Sequence, residues 1–215
     1  LTTHGQAPYL KQAIGSVLAQ TFEDWELVIA VDSTVSDRWK SDIDDRACYY
    51  YYHVPESVPC RFAYTINQAF KECRGDYITY LCHDDLYLPW RLSMMLEYME
   101  REDLKWDVAF GSQKLLEEEN GNTVTTKEML RHGVPDQPAG TVDHSSVMHR
   151  RECFEKAGGW DENAPARYGD AYFWLRLQNS GYKFHCIPEV LDAHRFNPHS
   201  VSWKEDHPCP TATQS

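Results

Sequence analysis

Gly75-Asp76-Tyr77-Ile78-Thr79-Tyr80-Leu81-Cys82-His83-Asp84-Asp85 is the stretch on which the fold turns. Arg74-Gly75-Asp76 reads as a turn, and Tyr77 to Leu81 is a short run of aromatic and aliphatic residues that reads as a buried strand. The strand breaks off into a polar cluster, and in open α/β sheets ligands bind beyond the carboxyl ends of the strands. Two adjacent carboxylates there repel each other unless something positive offsets the charge. A hard divalent metal bridging to a diphosphate is one such partner. The plainer alternative is that Asp84 and Asp85 cap the helix beginning near Pro89. From the pair alone both readings stand open.

The flanking sequence supplies the rest of the sheet. Leu10, Ile14, Val17 and Leu18 recur at helical spacing between Pro8 and Gln20, which predicts an amphipathic helix. Trp25 to Val31 is a nearly continuous apolar run that stops at Asp32-Ser33-Thr34, a second strand feeding a polar loop. Tyr49 to Tyr52 is another strand, and Arg61 to Cys73 is again helical in pattern. Downstream, a helix after Pro89 carries Leu92, Met95, Leu96 and Met99 on one face, and Val108-Ala109-Phe110 follows as a strand. Alternating strands and helices predict a parallel sheet covered by helices. Beyond residue 115 the alternation weakens into an α+β region. Glu117 to Asn122 reads as a hairpin turn, helices are predicted at Arg151–Ala157 and Asp170–Asn179, and short strands at Lys183–Ile187 and Val190–Ala193. Residues 206–215 read as a loose tail. Leu1-Thr2-Thr3 reads as the end of a strand whose body lies upstream of Leu1.

Composition narrows the function classes. The chain has 215 residues, 42% of them hydrophobic, enough for one domain that buries roughly 70% of its unfolded surface. Lys and Arg number 21 against 33 Asp and Glu, a formal net charge of −12, so a polyanion is repelled and nonspecific nucleic-acid binding is excluded. No stretch approaches the roughly 18 to 20 apolar residues of a membrane span, and mean hydropathy is −0.61. The seven cysteines are an odd number without a CxxC pair. They read as free thiols of a reducing compartment, and with no targeting signal the expected location is cytoplasmic, including the inner face of a membrane.

Four blocks in order, from Thr2 to about Ser202, resemble family 2 glycosyltransferases, which have the GT-A fold. Pro8 to Phe22 resembles that family's opening helix. Gly75 to Pro89 resembles the strand that carries its DxD metal motif. Gly158-Gly159-Trp160-Asp161-Glu162 with Asp170 to Leu177 resembles its acceptor side, and Ile187 to Leu191 with His194-Arg195 resembles its closing segment. The resemblance implies a GT-A, Rossmann-like α/β fold with a mostly parallel sheet. It places a nucleotide-sugar-binding part at about 1–115 and a smaller α+β acceptor-side part at about 116–205. It implies that Thr3 and Asp32 hold the base and ribose of the donor. Asp84 would ligate Mn²⁺ or Mg²⁺ on the diphosphate, Asp85 would lie near the sugar, and His194 would supply a further metal or phosphate contact. Asp170 matches the catalytic base. The donor implied is a UDP- or GDP-sugar and the acceptor a saccharide or lipid-linked hydroxyl, as in polysaccharide biosynthesis, with inversion at the transferred sugar.

Three positions depart from the family pattern. Cys82 replaces the first aspartate of the metal turn, Val31-Asp32-Ser33-Thr34 lacks one carboxylate, and Gly169 stands where a glutamate precedes the base. They keep open a sugar-nucleotide-binding module without turnover. A nucleotidyltransferase is the remaining rival, and no GxxxxGK or GxGxxG string supports it. Other residues have bland readings beside functional ones. Tyr49 to Tyr52 read as stacking partners of a base or sugar or, more commonly, as residues packed on both sheet faces, and Arg61 reads as a phosphate contact or, more commonly, as an exposed helical arginine. Trp160 reads equally as an acceptor platform or as core. His144 and His149, flanking Ser145 to Met148, read as acceptor-pocket residues or as plain polar ones.

Overall fold

Residues that alternate along each strand enter two different cores, and this alternation sets the architecture. The computed structural model describes residues 1–4, 8–32, 46–119, 122–127 and 133–195. The expected tail at 206–215, Ser33-Thr34, Gly5-Gln6 and Cys209 lie outside them.

Strand β1 (Thr2–His4), helix α1 (Leu10–Leu18) and strand β2 (Leu27–Asp32) form the first crossover unit, and β3 (Ala47–Tyr52) pairs parallel with the far side of β2. Every residue of β2 is buried, as a central strand covered on both faces requires. Helix α2 (Arg61–Phe70) leads to β4 (Tyr77–Thr79). A parallel bridge from Thr2 to Cys82 brings the chain just beyond β4 alongside β1. The second group of strands runs in the order β4, β8 (Val147–Arg150), β6 (Val108–Glu119), β9 (Phe184–Arg195), β5 (Leu86–Tyr87), with β7 (Asn122–Lys127) as a hairpin partner of β6. Helices α3 (Arg91–Glu100), α4 (Arg151–Ala157) and α5 (Gly169–Asn179) complete the described elements.

The mostly parallel sheet expected from the sequence holds for β1 to β3 and for β6 with β9. The β4–β8, β6–β8, β6–β7 and β5–β9 pairs are antiparallel, so the sheet as a whole is mixed. The two short strands expected at 183–193 are one strand, β9, and its pairing with β6 shifts register around Ser112, a bulge that absorbs the irregularity at Pro188.

Along β6, Ala109 joins the core formed with Leu10, Ile14, Ile29, Met95 and Leu191, whereas Val108 and Phe110 join Phe154, Trp160, Phe173 and Trp174. That period of two places α1 and α3 on one face and α2, α4 and α5 on the other. The tyrosines of β3 alternate in the same way, Tyr49 stacking with Tyr51 and Tyr50 with Tyr52. Trp160 is core and not a platform, 2% exposed, with its ring stacked 5.0 Å from that of Phe173. Cys48, Cys60, Cys73, Cys82, Cys153 and Cys186 are free thiols. No helix among the described residues is long and apolar enough to cross a membrane.

His149 is fully buried, not a pocket residue. Its Nε2 lies 2.7 Å from the Tyr80 hydroxyl and its Nδ1 2.8 Å from the Arg150 carbonyl. The carbonyl can only accept, so Nδ1 carries the hydrogen and Nε2 accepts from Tyr80, the neutral tautomer. Burial lowers its pKa to about 4. Because the unfolded chain takes up this proton near pH 6.5 and the folded one does not, the contribution is complete above 6.5. It is lost as pH falls toward 4, at a cost of about 3 kcal/mol. Urea unfolding of wild type and His149→Gln at pH 7 and 4.5 checks this: wild type should lose stability more steeply, and parallel losses would remove the assignment.

Candidate active site

The carboxyl ends of β1, β2 and β4 meet at one edge of the sheet. His4 is in register with Asp32, and Thr2 with Cys82, so Thr3, Asp32 and the Cys82–Asp85 turn share that edge. Thr3 is 3% exposed and its Oγ1 has no hydrogen-bond partner among the described residues. A buried hydroxyl left in that state costs free energy unless a ligand satisfies it. Asp32 accepts two hydrogen bonds from Arg61, from Nε at 2.8 Å and Nη2 at 2.5 Å. Arg61 is exposed on α2, as one of its two readings has it, and it also orients the Asp32 carboxylate with a bidentate geometry.

The turn after β4 resolves the choice left open by its two aspartates. Helix α3 has no side-chain cap from them, and the N–H of Leu92 in its first turn donates to Gln20 Oε1 at 3.0 Å. Gln20 also donates from Nε2 to the Leu88 carbonyl at 2.8 Å, so a buried glutamine from the end of α1 satisfies this helix start. Helix capping does not account for Asp84 and Asp85.

The two aspartates differ sharply. Asp85 is 1% exposed; its Oδ2 accepts from the Ser145 hydroxyl at 2.6 Å and its Oδ1 from the Arg195 amide at 3.0 Å. His194 Nδ1 lies 3.2 Å from the same Oδ1 and 4.0 Å from Asp143 Oδ2. Burial works against ionisation of Asp85, but His194 and the hydrogen bonds outweigh it and hold its carboxyl at about 2. Burial likewise disfavours the charged imidazole, yet Asp85, Asp143 and Asp84 raise His194 to about 10. The Asp84 carboxylate, half-buried, makes no hydrogen bond or ion pair among the described residues, while its backbone carbonyl accepts from Arg195 Nε at 3.0 Å.

Donor atoms of Cys82, Asp84 and Asp85 cluster within 4.8 Å of one another, as do those of Asp85, Asp143 and His194. The carboxylate oxygens suit a hard divalent cation and the thiol does not. Burial and the neighbouring carboxylates Asp85 and Asp84 hold the Cys82 thiol well above its usual pKa, so it is protonated. Cys82 Sγ sits 3.2 Å from His144 Nε2. The residues fit a metal held from Asp84, with Asp85 and His194 beside it.

Asp170 opens α5, and the Ala171 N–H donates to its Oδ1 at 2.7 Å. Burial raises its carboxyl to about 6, against the pull of His144 and with a push from Asp143. A base poised near neutrality is what proton abstraction from a hydroxyl needs. Gly169 has a local cause: a Cβ there would stand 3.0 Å from Cys60 Sγ, so any side chain at this position requires the buried thiol to shift.

Asp143, Ser145 and Arg195 were not singled out from the sequence as site residues. Asp143 caps a short 3-10 turn, His144–Ser146, by accepting from the Ser145 N–H at 2.9 Å. The Asp-x-Ser spacing of that cap was the one local signal available.

Comparison with known proteins agrees with this geometry. The sequence profile of Glycosyl transferase family 2 matches residues 1–158. CgeD of Bacillus subtilis (strain 168) is 35% identical over 214 residues, covering 93% of this chain and 50% of that protein. An uncharacterized glycosyltransferase of Rickettsia conorii is 28% identical over 222 residues, covering 95% of this chain and 34% of the relative. The chain thus spans half of the first protein's length and about a third of the second's. Among solved structures, S. aureus TarS 1–349 in complex with UDP-GlcNAc superposes with a TM-score of 0.69 at 12% identity, over 96% of this chain and 61% of that one. The mannosyltransferase PcManGT of Pyrobaculum calidifontis, in complex with GDP-Man and Mn²⁺, gives 0.65 at 12% identity, over 90% and 55%. At such identities the superpositions establish the fold, which is GT-A.

Proposed function

The chain belongs to glycosyl transferase family 2, and we propose that it transfers a sugar from a UDP- or GDP-sugar to the hydroxyl of a saccharide or lipid-linked acceptor, with inversion and with a bound Mn²⁺ or Mg²⁺. The observation that carries this reading is the Asp84 carboxylate, uncommitted among the described residues, at the strand edge shared with Thr3 and Asp32 and next to an Asp85 whose two oxygens both accept hydrogen bonds. The proteins it superposes on include ones bound to UDP-GlcNAc and to GDP-Man with Mn²⁺.

In this mechanism Thr3 and the Asp32–Arg61 pair take the nucleoside. Asp84 would hold the divalent ion, with Asp85 and His194 in the same cluster of side chains. When bound, the ion would offset the charge that develops on the departing diphosphate. Asp170 accepts the proton of the acceptor hydroxyl as that oxygen attacks the sugar from the face opposite the diphosphate, so a single displacement inverts the anomeric centre without a covalent sugar intermediate. His144, whose Nε2 is 3.2 Å from the Cys82 thiol, works against the rise that burial and Asp143 impose on the Asp170 carboxyl.

The net charge of −12 makes the site inhospitable to a diphosphate unless a cation accompanies it. Thermal denaturation with UDP or GDP should therefore show a clear rise in Tm with Mn²⁺ and little without it. A ligand at a hundred times its Kd adds about 2.7 kcal/mol. Incubation with sugar nucleotides then separates the rivals. A transferase leaks free sugar and nucleoside diphosphate, a nucleotidyltransferase releases other products, and a binding module releases none. The binding module is favoured by Cys82 and Gly169, and absence of leakage together with a metal-dependent Tm rise would establish it instead.

A further inference from the structure

We propose that Arg195 is a positioning residue that aims the Asp84 carboxylate, and so sets the affinity of the site for a divalent cation together with a nucleoside diphosphate. The inference rests on the donor reading above and deepens it. Arg195 is the last residue of β9, in register with Leu116 of β6, and is 2% exposed. Its guanidinium donates to partners on three other segments: from Nε to the Asp84 carbonyl at 3.0 Å, from Nη1 to Thr123 Oγ1 of β7 at 3.1 Å, and from Nη2 to Gln12 Oε1 of α1 at 2.8 Å. The group also lies over the Tyr9 ring, 3.8 Å from its centroid, and the backbone N–H of the same residue holds Asp85 Oδ1.

One arginine thus fixes both aspartates of the turn by different means. Asp85 is held through its carboxylate. Asp84 is held through its carbonyl only, leaving its carboxylate uncommitted among the described residues, pointing where the orientation of that peptide sends it. Burying a guanidinium is a costly way to gain stability, since an apolar residue of similar volume usually serves as well or better. What the guanidinium adds is direction, because its planar fork reaches three fixed partners at once and a lysine ammonium does not. Gln12 and Tyr9 belong to the α1 end of the molecule, so the same contacts tie the nucleoside-side helix to the metal turn.

The test measures Mn²⁺ binding directly, by electron paramagnetic resonance of the free ion during titration of the protein with excess UDP and, in parallel, excess GDP. In Arg195→Met the Kd for Mn²⁺ should rise about 10- to 100-fold, the usual effect of removing a group that orients a metal ligand, and Arg195→Lys should recover part of it. Gln12→Ala, at an exposed position of α1, should fold normally and raise the Kd about threefold. A purely structural arginine predicts a different pattern: lower Tm and fewer binding sites, with the Kd of the folded fraction unchanged. That pattern, or wild-type Kd values in Arg195→Lys and Gln12→Ala should Arg195→Met fail to fold, overturns the proposal while leaving the donor reading intact. A wild-type protein that binds Mn²⁺ no better with either nucleotide than without overturns the donor reading, and this inference falls with it.

Discussion

Asp170→Asn should lower sugar transfer by about 10²- to 10⁴-fold while leaving donor binding in place. The competing account of Asp170 is local, an acidic residue in the first turn of α5 that favours the helix dipole and accepts a hydrogen bond from Ala171. That role is worth about 0.3 to 1 kcal/mol of stability and nothing in rate, so the two accounts differ by orders of magnitude in one assay. The pH profile gives an independent readout. With the carboxyl raised to about 6 by burial, kcat/KM should be level above that pH and fall about tenfold per unit below it, as the base takes up its proton. The stability effect has the opposite sign: the folded chain holds this proton more tightly than the unfolded one, so the charged carboxylate costs stability above pH 6 and that cost fades as pH falls. A variant that transfers at near wild-type rate would assign Asp170 to structure. Attention would then move to His144, because Asp161 is already paired with Arg176 at 3.0 Å.

The strand ends were legible because the periodicity switches there. A fully buried central strand such as β2 must read as an unbroken apolar run, and the chain must turn polar where it leaves the sheet, so Asp32 and Asp84 announce themselves without any knowledge of their neighbours. Helix α4 was legible in the same way, from its apolar spacing and the left-handed glycine that ends it, Gly158 at φ 76°. Strand β8 was not, since Val147-Met148-His149-Arg150 is only four residues long, abuts α4 directly and carries no turn signal of its own. Missing β8 meant missing two of the four antiparallel pairs, because β8 is the strand that joins β4 to β6.

What surrounds the aspartates was illegible for a different reason. Ser145 reaches Asp85 across 60 positions and Arg195 reaches it across 110, and neither contact has any local trace. The same holds for Gly169. Read along the chain it is a lost carboxylate; in space it is the complement of Cys60, two small residues sharing one volume. Likewise, Cys82 reads as a poor metal ligand in isolation and becomes half of a thiol–imidazole pair only when His144 arrives from 62 residues away. Sequence therefore locates the carboxylates at the strand ends, and only the packing distinguishes the one left uncommitted from the one that holds the turn together.

That distinction yields the second large effect, a pair of substitutions with opposite outcomes at adjacent positions. Asp84→Asn should leave the fold within about 0.5 kcal/mol of wild type, as expected for a half-buried group whose carboxylate has no partner among the described residues, and it relieves repulsion with Asp85. Yet it should abolish the Mn²⁺-dependent part of nucleotide binding and lower transfer by at least about 10²-fold, because it removes the oxygen donor that holds the cation. Asp85→Asn should do the reverse at the level of the fold. It strips the charge from a carboxylate that is 1% exposed and ion-paired with His194, leaving the imidazolium with the more distant Asp143 carboxylate at 4.0 Å, a loss that costs about 1.5 to 3 kcal/mol. It also places an amide N–H₂ where either the Ser145 hydroxyl or the Arg195 N–H needs an acceptor. Urea unfolding and Mn²⁺ titration of both variants read the two outcomes separately. If Asp84→Asn unfolds the chain while Asp85→Asn spares it and loses the metal, the assignments are exchanged and the cation is held from the inner carboxylate cluster of Asp85, Asp143 and His194.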